Sequence, residues 1–393
     1  MEEERNKKAS VKYFLSGVVS ACLVIAVIYF LFMYLPFQTK SPSRPDSLGA
    51  QKKVKEIERL IEKYYLGEVD QQKQTDYMYL GLVAGLEDRY STYYTKEQYE
   101  ELQKTQEGVY TGIGITIIQN SEDGKIYVES CVEESPAAQA GIQAGDCIEA
   151  VNGTKTEGMT TSQVVDLIGA GSGGTVTLTV TRDGEEERDI QIEEGTVEMR
   201  SVDSRMLENH VGYIQITEFT GVTSEQFAAA FQELDSQGME KLVIDLRDNP
   251  GGLVNAVCDT LRQILPEGLI VYTEDKNGNR KEELCDGDTP IQIPLAVLVN
   301  EGSASASEIF AGAVKDYGIG TLVGTTTFGK GIVQDMFQLS DGSVLKLTVS
   351  HYYTPNGNNI NGTGITPDVQ AEQPEQSETD LQLQKALEVL DVS

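Results

Sequence analysis

The sequence predicts a multidomain α/β protein that carries a transmembrane segment near its N-terminus. Strand and helix patterns alternate from residue 187 onward, a shorter β-rich stretch occupies residues 105–186, and residues 13–35 form one apolar run. Repeated strand–helix units favour a mainly parallel sheet covered by helices. A length of 393 residues leaves room for two or three domains.

The charge balance excludes nucleic acid as a partner. The chain has 31 basic and 62 acidic residues, a net charge of −31. No basic stripe is available to neutralise phosphates. No Cys-x-x-Cys or histidine-rich spacing indicates a metal site, and we expect no cofactor.

Residues 13–35 carry no charge and, as a helix rising ~1.5 Å per residue, would reach roughly 34 Å, enough to cross a bilayer. Basic residues are more frequent before this run than after it (Arg5, Lys7, Lys8 and Lys12 against Lys40 and Arg44). The bias predicts a single-pass protein of the cell membrane, with a cytoplasmic tail at 1–12 and everything after the apolar run outside the cytoplasm. The alternatives are a cleaved signal peptide and a lipoprotein signal ending at Cys22, but the run is long for either.

The other cysteines would face a compartment in which disulfides can form. They are Cys131, Cys147, Cys258 and Cys285. Four thiols allow three pairings, and the sequence does not choose among them.

A Pro/Ser-rich linker is predicted at 36–50 and a helical region at 51–104. Apolar residues recur there at three- and four-residue steps, at Val54, Ile57, Leu60, Ile61 and Tyr64. Some 50 residues bury little surface alone, so we expect this stripe to pack on the core or to form a homodimer.

The β-rich stretch 105–186 opens with Gly112-Ile113-Gly114-Ile115 and continues with Ser135-Pro-Ala-Ala…Ala-Gly-Ile…Gly-Asp…Val-Asn-Gly153. These motifs, in this order, resemble a PDZ domain. The resemblance implies that the loop 112–115 holds the C-terminal carboxylate of a peptide through backbone N–H groups while the peptide adds a strand to the sheet.

The region 187–393 contains two Gly/Ala-rich segments, one around Ser305 and one around Lys330, that stand 25 positions apart. A serine at a helix start can expose its hydroxyl where helix N–H groups stabilise negative charge. Spacing alone does not choose among Ser303, Ser305 and Ser307, and Ser305-x-x-Glu308 also fits a capping box that only starts a helix.

Lys330 lies between two glycines, and Gln334 follows on the same face of a strand or helix. Desolvation favours the neutral form of a lysine, so a buried Lys330 could deprotonate a serine. A solvated lysine on a turn is the simpler interpretation. The chain has two histidines, His210 and His351, in ordinary strand patterns, and a His-based esterase stays an alternative.

The segment Asp245-Leu-Arg-Asp-Asn-Pro-Gly-Gly252 leaves a predicted buried strand and turns sharply. Its glycine N–H groups could face a substrate carbonyl, while Arg247 and the aspartates brace the turn.

Together with Gly329-Lys-Gly-x-Val-Gln334 and Tyr352-Tyr-Thr-Pro-Asn-Gly357, these segments resemble the C-terminal processing peptidases. These are serine proteases with a crotonase-like α/β core and an inserted PDZ domain. The resemblance implies Ser305 as nucleophile, Lys330 as general base and Gln334 as the residue that orients the lysine. It also implies that Gly251 and Ala306 supply the oxyanion N–H groups.

We therefore expect a membrane-anchored serine endopeptidase that recognises protein substrates by their free C-terminal tails and cleaves them through an acyl-enzyme. A catalytically inactive peptide-binding scaffold on the same fold is the alternative, because fold does not determine function.

Overall fold

The computed structural model describes residues 47–169, 174–182, 184–374, 377 and 379–392. The chain divides into two compact units, residues 1–74 and 75–393. The predicted tail 1–12 and transmembrane segment 13–35 lie outside the described residues. No helix among those that are described is long and apolar enough to cross a bilayer.

The described part of the first unit contains helix α1 (Ser47–Tyr64), which begins inside the predicted linker 36–50. Its predicted apolar stripe is largely exposed, at 50% for Ile57, 50% for Leu60 and 66% for Tyr64.

The predicted helical region 51–104 is only partly helical. Helices α2 (Gln71–Ala84) and α3 (Lys96–Glu107) are separated by the strand β1 (Thr92–Tyr94). The prediction missed β1, whose one β-branched and two aromatic residues favour a strand once a partner strand is available.

A six-stranded antiparallel sheet forms the PDZ domain. Its elements are β3 (Ile115–Gln119), β4 (Ile126–Cys131), α4 (Pro136–Gln139), β5 (Cys147–Val151), β6 (Thr154–Lys155), α5 (Thr161–Gly169), β7 (Thr175–Thr181) and β8 (Arg188–Glu193). Alternate residues of β7 are buried in its core, as period-two patterning requires. Strand β2 (Val109–Gly112) precedes this domain in the sequence and strand β9 (Gly195–Glu198) follows it. The two strands pair with each other as an antiparallel ribbon.

The region 187–393 contains a second six-stranded sheet, parallel except for its first strand. Its spatial order is β10 (Val202–Met206), β11 (Val211–Ile216), β12 (Lys241–Asp245), β15 (Leu295–Val299), β16 (Thr321–Gly324) and β19 (Val369–Gln370). The predicted strand–helix alternation is confirmed in this sheet.

Helices cover both faces of the parallel sheet. Residues of α6 (Thr223–Ser236), α7 (Val254–Leu261) and α8 (Ala306–Tyr317) belong to the larger apolar cluster on one face. On the other face α9 (Leu381–Val392) contributes Ala386 and Leu390. Both faces of the central strands are buried, which explains their continuous apolar sequences.

A third sheet completes the core. It pairs β13 (Gly268–Asp275), β14 (Arg280–Cys285), β17 (Ile332–Gln338) and β18 (Val344–Tyr353) with β1, all antiparallel. Thr92 lies opposite Lys346 in this sheet. A chain segment that precedes the predicted PDZ domain therefore belongs to a sheet whose other strands come from the region 187–393.

The described cysteines form no disulfide. Cys131, Cys147, Cys258 and Cys285 are all free thiols.

Candidate active site

Ser305 occupies a strained turn between β15 and α8. Its backbone has φ 55° and ψ −111°, a conformation that non-glycine residues rarely adopt. Such strain persists only where the surrounding structure enforces it, and it is common at functional sites. The local geometry therefore marks Ser305 among the residues of this turn.

The hydroxyl groups of the neighbouring serines are committed to the fold. Ser303 Oγ donates to the carbonyl of Leu246 at 2.7 Å, and Ser307 Oγ donates to that of Asn249 at 2.9 Å. Both serines are fully buried, whereas Ser305 is partly exposed. Of the three serines that the sequence left open, Ser305 is the one available for chemistry.

The carboxylate of Glu308 connects the serine turn to the lysine segment. It is fully buried and accepts the N–H of Ser305 at 2.9 Å, as the capping-box pattern predicts. It also accepts the N–H of Gly329 at 2.7 Å, the N–H of Lys330 at 2.8 Å and the hydroxyl of Thr327 at 2.6 Å.

Four donors on one buried carboxylate offset much of its desolvation. They also fix two segments that are far apart in sequence. The sequence indicated Glu308 only as a helix cap, and no local pattern points to its other three donors.

Lys330 is half-buried, and its Nζ lies 4.9 Å from the centre of the Tyr90 ring. Burial lowers the pKa of Lys330. The positive charges of Lys346 and Arg89 lower it further, while the carboxylate of Glu308 opposes them. The amine therefore loses its proton more readily than an exposed lysine does.

Ser305 and Lys330 are brought together through their backbones, but no hydrogen bond joins Oγ to Nζ. Catalytic hydrogen bonds are often long or unformed without substrate. Gln334 is in the same sheet region, and its Nε2 donates to Thr348 Oγ1 at 3.3 Å, with no bond to Lys330.

The Asn249–Gly252 turn packs directly against Ser305. A β-carbon placed on Gly251 would lie 2.8 Å from Ser305 Cβ and 2.9 Å from the N of Ala306. The N–H of Gly251 donates to Asn249 Oδ1 at 2.9 Å, so it is not directed at the space beside Ser305. The N–H groups of Gly252 and Ala306 have no acceptor among the described residues.

Arg247 braces this turn. Its guanidinium bonds Asp245 at the end of β12 and Asp380 and Gln382 at the start of α9. Burial disfavours the charged form of Arg247, but the carboxylates of Asp245 and Asp380 stabilise that form more strongly, so the pKa of Arg247 is raised. The bonds tie the C-terminal helix to the turn beside Ser305.

The loop 112–115 belongs to the PDZ domain. The carbonyl groups of Ile113 and Gly114 accept the N–H groups of Ala137 and Val132, each at 2.9 Å. The N–H groups of Ile113 and Gly114 have no acceptor within the described part of the chain. Among the strands that the structure describes, β3 pairs only with β4. The free edge and the free N–H groups fit a peptide that adds a strand.

His210 and His351 are both exposed, and neither hydrogen-bonds Ser305. In the part of the chain that the structure describes, no three His, Cys, Asp or Glu side chains are grouped to hold a metal ion.

The fold and this site define a serine protease core that carries a PDZ domain. The model of peptidase family S41 matches residues 210–371, and a PDZ domain model matches residues 127–182.

The carboxy-terminal processing protease CtpA of Bacillus subtilis is 36% identical over 86% of this chain and 72% of its own length. A probable CtpA-like serine protease of Staphylococcus epidermidis is 34% identical over 95% of this chain and 76% of its own length. The solved structure of a photosystem II D1 C-terminal processing protease is 33% identical, covers 84% of this chain and 90% of that chain, and has a TM-score of 0.48.

The chain belongs to peptidase family S41. It is a serine-type endopeptidase of the C-terminal processing group, as the sequence motifs indicated.

Proposed function

We propose that Ser305 and Lys330 form a catalytic dyad that cleaves polypeptides through an acyl-enzyme. The observation that carries this proposal is the buried Glu308, whose carboxylate binds the backbone of both residues. The strained backbone of Ser305 and the lowered pKa of Lys330 support the same assignment.

In the proposed reaction, Lys330 Nζ takes the proton of Ser305 Oγ as Oγ attacks the scissile carbonyl carbon. The protonated amine then gives its proton to the leaving nitrogen, the peptide bond breaks, and an ester on Ser305 remains. Lys330 next takes a proton from the water that attacks the ester carbonyl, and it returns this proton to Ser305 Oγ as the ester bond breaks and the acid product leaves.

The tetrahedral intermediate carries a negative oxygen that needs N–H donors. We assign these donors to Ala306 and Gly252, since the N–H of Gly251 is occupied by Asn249. The sequence motifs implied Gly251 as a donor. We assign the role to Gly252 because the side-chain oxygen of Asn249 already accepts the N–H of Gly251.

Gln334 would orient the lysine during the reaction. Supporting this role are its place on β17 and its bond to Thr348. An amide can accept from an amine without holding it in the charged form as a carboxylate would.

The PDZ domain would bind the free C-terminal tail of a loosely folded substrate along β3, with the carboxylate at Ile113 and Gly114. Supporting this proposal are the unpaired edge of β3 and the free N–H groups of the loop. We also propose that the domain regulates access to the dyad.

The cellular setting proposed here is the outer face of the cytoplasmic membrane, with residues 13–35 as the anchor. The charge bias and the length of the apolar run support it.

The exposed Ile57, Leu60 and Tyr64 of α1 support a homodimer. The parallel sheet with helices on both faces supports a crotonase-like core.

The decisive experiment compares the purified full-length protein with Ser305→Ala and Lys330→Ala on an unfolded protein substrate. Both variants are expected to lose at least roughly a thousandfold in turnover, because each removes a group that acts in the transition state.

The variants His210→Ala and His351→Ala serve as controls and should keep wild-type turnover, whereas a His-based esterase predicts that one of them is inactive. Unchanged turnover in Lys330→Ala would show that Lys330 is not the general base. A wild-type protein that binds C-terminal peptides but cleaves nothing would be the inactive scaffold.

A further inference from the structure

The dyad described above leaves one half-buried cation without a role. Lys346 lies on β18, and no carboxylate among the described residues is within ion-pair distance of its amine. Lysines are rarely buried without a partner, because burial penalises the charge. An unpaired half-buried lysine beside an active site therefore requires an explanation.

The register of the sheet places Lys346 opposite Thr92, two residues after Tyr90, whose ring centre lies 4.9 Å from Lys330 Nζ. Lys346 and Thr348 are two residues apart on β18 and share one face. They lie opposite Met336 and Gln334 of β17. Gln334 donates to Thr348 on this face, so Lys346 is on the same face as the residue proposed to orient Lys330.

Asp88, an acid close to Thr348, already accepts hydrogen bonds from its own segment. Asp88 accepts the hydroxyl of Ser91 at 2.6 Å and the N–H of Tyr90 at 3.1 Å. The residues opposite Lys346, Thr92 and Met336, carry no charge. Lys346 is therefore not neutralised by its immediate surroundings.

We propose that Lys346 is the charge that keeps the amine of Lys330 in its neutral, proton-accepting form. It acts through Lys330 and not on the substrate. The inference rests on the proposed dyad.

The other charged groups around Lys330 do not replace Lys346 in this role. Arg89, from the segment before β1, is exposed and lies over the rings of Tyr90 and Phe328, where solvent screens its charge. Tyr90 faces the amine with its ring and favours the charged form of the lysine.

From α8, Glu308 also favours the charged form, although four hydrogen bonds occupy its carboxylate. Lys346 is half-buried, where screening is weaker. Burial lowers the pKa of Lys346 as well, and the pKa of Lys330 is lowered by burial and by the charge of Lys346.

The test is the pH dependence of kcat/KM for full-length Lys346→Met, a neutral side chain of similar length. We expect the rising limb to move to higher pH by about 0.5–1 unit, which is roughly a three- to tenfold loss of rate on the limb. At pH values above both limbs the variant should regain the wild-type rate, because Lys330 is then neutral in both proteins.

Two controls isolate the charge at this position. Lys346→Arg keeps the charge and should keep the wild-type limb. Lys385→Met removes a charge from the exposed surface of α9 and should also leave the limb in place. Should Lys346→Met fail to fold in a thermal melt, Lys346→Gln is the second neutral variant.

Three results would overturn the inference. They are an unshifted limb, an equal loss of kcat/KM at every pH, and a rise in KM alone, which would make Lys346 a binding residue for substrate carboxylate. Failure of the dyad itself is distinguishable, since Ser305→Ala and Lys330→Ala would then stay active.

Discussion

At the scale of single residues, the site depends on a carboxylate that performs no chemistry in the proposed reaction. Glu308 accepts from the backbone of Ser305 and of Lys330, residues separated by 25 positions. Reacting groups displaced by about 1 Å can lose a hundredfold in rate, so the group that sets their separation matters as much as the groups themselves.

Glu308→Gln should therefore reduce both stability and turnover. The amide nitrogen cannot accept, so two of the four donors lose their acceptor, and unfolding free energy should fall by about 1–3 kcal/mol. We expect kcat to fall by at least about tenfold as the dyad loosens.

Denaturant unfolding and steady-state kinetics measure the two effects of Glu308→Gln. The matched control is Glu301→Gln, an exposed carboxylate in the same turn that bonds only Thr325. Wild-type kinetics in Glu308→Gln would show that the carboxylate is only a helix cap.

The pH dependence of the wild-type enzyme is a second residue-scale prediction. Burial and neighbouring cations lower the pKa of Lys330, so its neutral form increases as pH rises through that lowered value. The rate should therefore rise with pH and level off below the ordinary lysine value of about 10.4. A flat or falling kcat/KM profile over this range would contradict a lysine base.

At the scale of elements, the turn after β12 brings its glycines close to two other segments. Gly251 lies against Ser305, and Gly252 has φ +135° with the carbonyl of Phe219 beside it. The N–H of Phe219 donates to the carbonyl of Gly251 at 2.8 Å. The loop containing Phe219 therefore sets the position of the proposed oxyanion donors.

Gly252→Ala should lower kcat strongly without abolishing folding. A β-carbon there would lie 2.1 Å from the carbonyl oxygen of Phe219, so the turn must shift away from Phe219 and displace the N–H of residue 252. We expect kcat to drop by roughly a hundredfold, the range found when an oxyanion donor is lost.

Gly278→Ala is the matched control for Gly252→Ala. It also has positive φ, but open space surrounds it, so it should cost about 1 kcal/mol in stability and leave kcat unchanged. Equal kinetics in the two variants would argue against Gly252 as an oxyanion donor.

At the scale of the whole molecule, the PDZ domain is inserted between two strands that pair with each other. Gly112 at the end of β2 lies opposite Gly195 at the start of β9. The carbonyl groups of Gln106 and Gly108, before β2, accept the N–H groups of Gly221 and Met199 at 2.9 and 2.7 Å. The ribbon is thus attached to the core independently of the domain that it carries.

Excision of residues 113–194, with Gly112 and Gly195 joined by an Asn-Gly turn, should leave a folded core. Paired strand ends can be closed by a two-residue hairpin turn. We expect this variant to lose preference for substrates with a free C-terminal carboxylate over the same substrates amidated. Wild-type preference and rate after excision would mean that the domain neither selects substrates nor controls the dyad.

Much of this protein follows from local sequence patterns. The strand–helix alternation predicted the parallel sheet, and the loop 112–115 with the run that follows it predicted the PDZ domain. Both patterns are made by residues close together in the sequence, so a short stretch of the chain is enough to predict each structure. The choice of Ser305, in contrast, came from resemblance and not from spacing.

Long-range packing decided what the sequence could not. Strand β1 forms because it pairs with β18, some 250 residues later, and it brings Tyr90 to Lys330. Three of the four donors of Glu308 and the half-burial of Lys346 have no local signature either. The residue types at this site can be read from the sequence, but the pKa of Lys330 depends on its burial and on the charges that the folded chain places around it.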